Sequence, residues 1–143
     1  MTSTRWRMRA VRLLTIGLTI GLTIVVSEAG RAQSAPSSVL GEWHGRSTCL
    51  VKPSACHDEV VVYEIRRDSV FADTLVMKAD KIVNGARDWM GDLRCGWHAP
   101  TLACPIRGAV WRFTQHGDSL AGVLDLADGR RFREVEARKV TAK

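Results

Sequence analysis

The chain reads as an all-β protein: a small antiparallel up-and-down meander of roughly eight strands, closing into a barrel after a cleaved export signal. Three observations predict this. Short runs of alternating apolar and polar residues recur from Val39 to Val140. Tight-turn pairs, Asn84-Gly85 and Asp128-Gly129 among them, separate the runs at close intervals. An open sheet of so many short strands would expose two edges, and closure removes both.

Residues 1–32 read as a signal peptide. Arg5, Arg7, Arg9 and Arg12 form a basic n-region ahead of the apolar run Leu13–Val26. That run is 14 residues long, short of the roughly 20 that span a bilayer as a helix. Gly30 and Ala32 supply the small residues of a cleavage site, so cleavage is expected after about Ala32, leaving no stable membrane span. The whole chain carries 21 basic and 15 acidic residues. Arg31, the four n-region arginines and Glu28 leave with the leader, so the mature chain keeps 16 basic against 14 acidic residues. A net charge of +2 gives no polyanion-binding surface, and nucleic acid is excluded as an expected partner. The 111 residues that remain of the 143 suit one domain, 39–143, behind a flexible leader at 33–38 that holds Pro36 and three serines.

The elements follow in order. Val39–Cys49 is the first strand, with Gly41 and Gly45 permitting bends. Glu59–Ile65 is the second, with Val61, Tyr63 and Ile65 on one face. Arg66-Arg67-Asp68-Ser69 is a polar turn, and Val70 opens the next apolar run. Between Asp73 and Ala86 two signals compete. Leu75, Val76, Ala79, Ile82, Val83 and Ala86 fit a helical stripe with Asp73 as N-cap. Asn84-Gly85, however, is a hairpin turn between strand-like flanks, and strands are the reading adopted. Trp89–Trp97 and Thr101–Ile106 form the next pair, and Gly108 marks a turn. Val110–Thr114, the run through Leu120, Gly122, Leu124 and Leu126, and a last strand from Arg130 to Val140 complete the meander.

Four cysteines in an exported chain read as two disulfides. Three connectivities are open; Cys49–Cys56 and Cys95–Cys104 are favoured because each pair flanks its own turn, at Pro53-Ser54 and at His98-Ala99-Pro100-Thr101. Each short loop contributes roughly 2.5 kcal/mol in the chain-entropy model. The intervening gaps of six and eight residues do not match the short Cys pairs of structural zinc sites.

The Gly41-x-Trp43 opening, the meander and the basic-aromatic Arg130-Arg-Phe-Arg133 resemble the lipocalin-like superfamily of small barrels, and the Cys56-to-Tyr63 block resembles small secreted bacterial proteins of unknown function. The resemblance implies a calycin-type barrel in which an arginine of the last strand, Arg131 or Arg133, covers Trp43.

Three groups of residues are candidates for function. Trp43, Tyr63, Trp97, Trp111 and Phe113 would line a pocket for a small apolar ligand, or else fill the barrel themselves. His57, Asp58 and Glu59 form a loop site with ligand-type atoms, although consecutive residues entering a strand point to alternate faces. The basic last strand, from Arg130 through Lys139, reads as a solvated face or a guard against edge pairing. No nucleophile elbow, zinc-protease helix or phosphate loop is present, so no catalytic residue, metal or cofactor is expected. The functional expectation is a periplasmic or secreted binding module whose partner is a small apolar ligand or an envelope or extracellular protein. Two alternatives stand beside it: an inhibitor of a hydrolase acting through the 49–57 loop, and a metal-binding protein using His57, Asp58 and Glu59.

Overall fold

The computed structural model describes residues 35–141; the signal-peptide reading of 1–32 lies outside them. Eight strands follow one another: β1 (Gly41–Cys49), β2 (Glu59–Arg67), β3 (Thr74–Val83), β4 (Ala86–His98), β5 (Thr101–Ile106), β6 (Ala109–His116), β7 (Ser119–Leu126) and β8 (Arg131–Lys139). Each pairs antiparallel with the next, and β8 pairs with β1 to close the barrel. The two-residue period decides what fills it. Trp43, Val61, Tyr63, Ile65, Leu75, Met77, Leu102, Phe113, Leu120 and Val135 are all buried in one core.

The ambiguous 73–86 segment is a hairpin. Asn84 and Gly85 have φ of 51° and 80°, the paired positive values that a two-residue turn needs to match the twist of its strands. Arg66 and Arg67, expected in a turn, extend β2, and the turn begins at Asp68. There the Asp68 carboxylate accepts the backbone N–H groups of Val70 and Phe71 at 2.7 and 3.1 Å. That shapes a loop in which Val70 is exposed rather than opening β3.

One end of the barrel is closed by residues 35–40. Trp43 is fully buried and donates its indole N–H to Val39 O at 3.0 Å. The 33–38 stretch, expected as a flexible leader, is from Ala35 onward seated on this end. Ala35 is buried, and its carbonyl accepts from Arg67 Nη2 at 2.8 Å. The cation over the Trp43 ring is Lys139, 5.6 Å from the centroid, not Arg131 or Arg133. The register explains this correction: antiparallel pairing sets Trp43 opposite Lys139 and carries Arg133 down to Cys49.

Both favoured disulfides are formed. Cys95–Cys104 bridges β4 and β5 with Cα atoms 4.1 Å apart, one step beyond the pair Gly96 and Ala103. Cys49–Cys56 staples the loop between β1 and β2. Two disulfides are compatible with an extracellular or periplasmic location.

Candidate functional site

The barrel end opposite the Trp43 cap is not filled. Here the late residues of β1, β3 and β7 meet the early residues of β2, β4, β6 and β8 around a cavity of about 220 Å³. Its apolar wall comes from Val61, Ala79, Leu93 and Leu124. Met90 joins them because of a bulge: Ala79 pairs with Gly91 and Asp80 with Trp89, so Met90 is the extra residue and turns toward the mouth. The tip of the β3–β4 hairpin is tied back to β1, where the Arg87 guanidinium donates to both Glu42 carboxylate oxygens at 2.9 and 3.0 Å. The His44 ring, 2.6 Å from Glu42, and Arg87 hold that carboxyl below the usual carboxylate range.

Two aromatic rings face the cavity, and both lean on a third. Trp111 stacks on Phe113 with centroids 5.2 Å apart, and Tyr63 meets Phe113 edge-on at 5.4 Å. Phe113 is fully buried. It fits only because β7 carries Gly122 opposite it, where a Cβ would lie 2.5 Å from the Phe113 ring.

The polar part of the site is built around Arg133. Alternation along β8 places it on the inward face with Val135 and Ala137, both buried. Its guanidinium donates to Ser47 Oγ at 2.8 Å and to His57 O at 3.0 Å, and pairs with Glu59 Oε2 at 3.1 Å. The two charged side chains are only 13% and 16% exposed, so the pair sits largely inside the mouth. A charge in that position is tolerable because it is paired and hydrogen-bonded. Burial pushes the Tyr63 phenol above its ordinary value; the nearby Arg133 opposes this and Glu59 adds to it, both more weakly. The hydroxyl therefore stays protonated and can donate toward the cavity that Tyr63 lines.

The structure sorts the sequence candidates differently from the expectation. Of the aromatic set, Tyr63 and Trp111 line the cavity, whereas Trp43, Trp97 and Phe113 are core. Their positions along the strands decide this, because the open end begins only after Trp43 on β1 and before Trp97 on β4. Trp97 Nε1 is buried without a hydrogen-bond partner among the described residues. The loop residues diverge. The His57 ring contacts Ala55 O at 3.3 Å, Asp58 accepts the Cys49 N–H at 2.9 Å, and Glu59 turns inward to Arg133. No group of three potential ligand side chains gathers among the described residues. Glu59 thus lines the cavity.

Sequence reasoning missed Arg133, Ser47, Leu93, Met90 and Leu124 as wall residues. The signal for Arg133 was present: it shares its alternating face with Val135 and Ala137, and a charge on an apolar face marks a site. No such signal existed for Met90, whose direction depends on a bulge.

No family model matches the chain. No curated protein matches it in sequence. The closed eight-stranded antiparallel barrel is consistent with the lipocalin-like architecture that Gly41-x-Trp43 implies.

Proposed function

We propose that this protein is an exported lipocalin-like binding module, without catalytic activity, that holds a small molecule in the open end of its barrel. The observation that carries the reading is the cavity itself, apolar on its walls with one compact polar cluster on one side. Its size favours a small ligand. A cavity of about 150 Å³ accommodates benzene, so about 220 Å³ takes one substituted ring and not an extended lipid. Export rests on the basic and apolar pattern of residues 1–32, together with the paired cysteines.

Native mass spectrometry of protein purified from its own host is the first test, with a co-purified small molecule as the expected result. The control is Ala79→Leu, which fills the cavity from its wall and should abolish capture while the fold is kept. Absence of any bound molecule, together with no response to single-ring probes, would overturn the reading.

A second reading has its own observation. The stapled loop exposes Lys52, Pro53, Ser54 and Ala55 together, and Ser54 Oγ braces it by donating to Val51 O at 2.6 Å. A rigid exposed loop of this kind suits insertion into the cleft of a hydrolase. Capture of an envelope hydrolase by the intact protein, lost on deletion of 53–57, would favour it.

A further inference from the structure

We propose that the cavity selects uncharged ligands: a single aromatic ring bearing a neutral hydrogen-bonding group binds, and the matching carboxylate or ammonium is rejected. The inference rests on the binding-module reading and adds the charge class of the ligand. It follows from how Arg133 is used. Of the side chains facing the cavity, Glu59 and Arg133 alone carry charge, and they neutralise each other at 3.1 Å. Arg133 also donates to Ser47 Oγ and His57 O, so its fork is largely committed before any ligand arrives.

An entering carboxylate would have to compete with Glu59 for that fork and would place two negative charges side by side at a largely buried ion pair. An ammonium would face Arg133 in the same way. Either ion also gives up its hydration with no surplus counter-charge to replace it. A neutral group pays none of this. The Glu59 carboxylate, which meets Arg133 through Oε2, can accept, and the Tyr63 hydroxyl that lines the cavity can donate. A carboxamide answers both, while its ring meets the apolar lining that Trp111, Leu93 and Leu124 supply.

The test uses benzamide, benzoate and benzylamine at neutral pH, titrated into the full mature protein. The readout is the NMR shifts of the Met90, Leu93 and Leu124 methyl groups and the Trp111 indole N–H. Benzamide should bind at least about tenfold more tightly than either ion. Glu59→Gln keeps the side-chain shape but leaves Arg133 with an uncompensated charge, so benzoate should then bind more tightly than benzamide. Benzoate or benzylamine equal to benzamide in the native protein overturns the charge inference and leaves the binding module standing. An unchanged order in a folded Glu59→Gln variant overturns the role of the pair. If that variant does not fold, the three-probe comparison on the native protein decides alone. No response to any of the three overturns the inference, and if no molecule co-purifies with the protein either, the binding module falls with it.

Discussion

Gly122→Ala tests how the cavity is held in shape. A Cβ at this position lies 2.5 and 2.6 Å from Phe113 Cδ1 and Cε1, with Val135 Cβ at 3.1 Å on the other side. Carbon atoms rest at about 3.5–4.0 Å, so the ring must move by roughly an ångström. It has nowhere to go: it is fully buried, stacked on Trp111 and edge-on to Tyr63. Overpacking of this kind costs about 1–3 kcal/mol. Removing a glycine from a strand interior returns about 0.5–1 kcal/mol, and a net loss of about 1 kcal/mol is expected. At about 4–8 °C per kcal/mol for a domain of this size, Tm should fall by roughly 6 °C. Urea unfolding followed by circular dichroism measures the loss directly, provided the slope m is unchanged. Phe113→Leu removes the ring atoms involved, so the double variant should be more stable than the sum of the single losses implies, by at least about 1 kcal/mol. A loss below about 0.5 kcal/mol for Gly122→Ala, or additivity within about 0.3 kcal/mol, would refute the packing argument.

Gly45→Ala should be worse and beyond rescue by any side-chain change, because its Cβ would lie 2.1 Å from the Glu136 backbone carbonyl at the β1–β8 seam. A loss greater than that of Gly122→Ala in the same urea assay is expected. Tyr63 is the single tyrosine, so absorbance at 295 nm during alkaline titration reports it alone. Burial raises its folded-state pKa, so little phenolate should form near pH 10, where free tyrosine is half ionised. The unfolded chain loses this proton first, so stability is full below about pH 10 and falls as pH rises above it. Half ionisation at pH 10 in the folded protein would contradict the burial. Replacing Cys95 and Cys104 by alanine should cost at least roughly 2.5 kcal/mol, since both sulfurs are also core atoms. The same change at Cys49 and Cys56 should cost less, because Cys56 lies in the exposed loop and neither sulfur, buried Cys49 included, belongs to the main core cluster. Denaturant midpoints order the two variants.

Local chemistry determined most of the architecture. Alternation named the inward faces of β2 and β7, Asn84-Gly85 settled a segment with helical periodicity as a hairpin, and cysteine spacing about two turns gave both disulfides. These signals are readable because a turn's φ values and a strand's period depend on neighbours in sequence. Tertiary structure alone decided which aromatics are core and which line the cavity, and that Lys139 rather than an arginine covers Trp43. It also decided that Glu59 and Arg133 meet. Closing the barrel fixes a register between its first and last strands, and that register sets which residues far apart in sequence share one end. A bulge then turned Met90 toward the mouth of the cavity. Such relations depend on how strands slide and tilt to close a sheet, which no local stretch of sequence encodes.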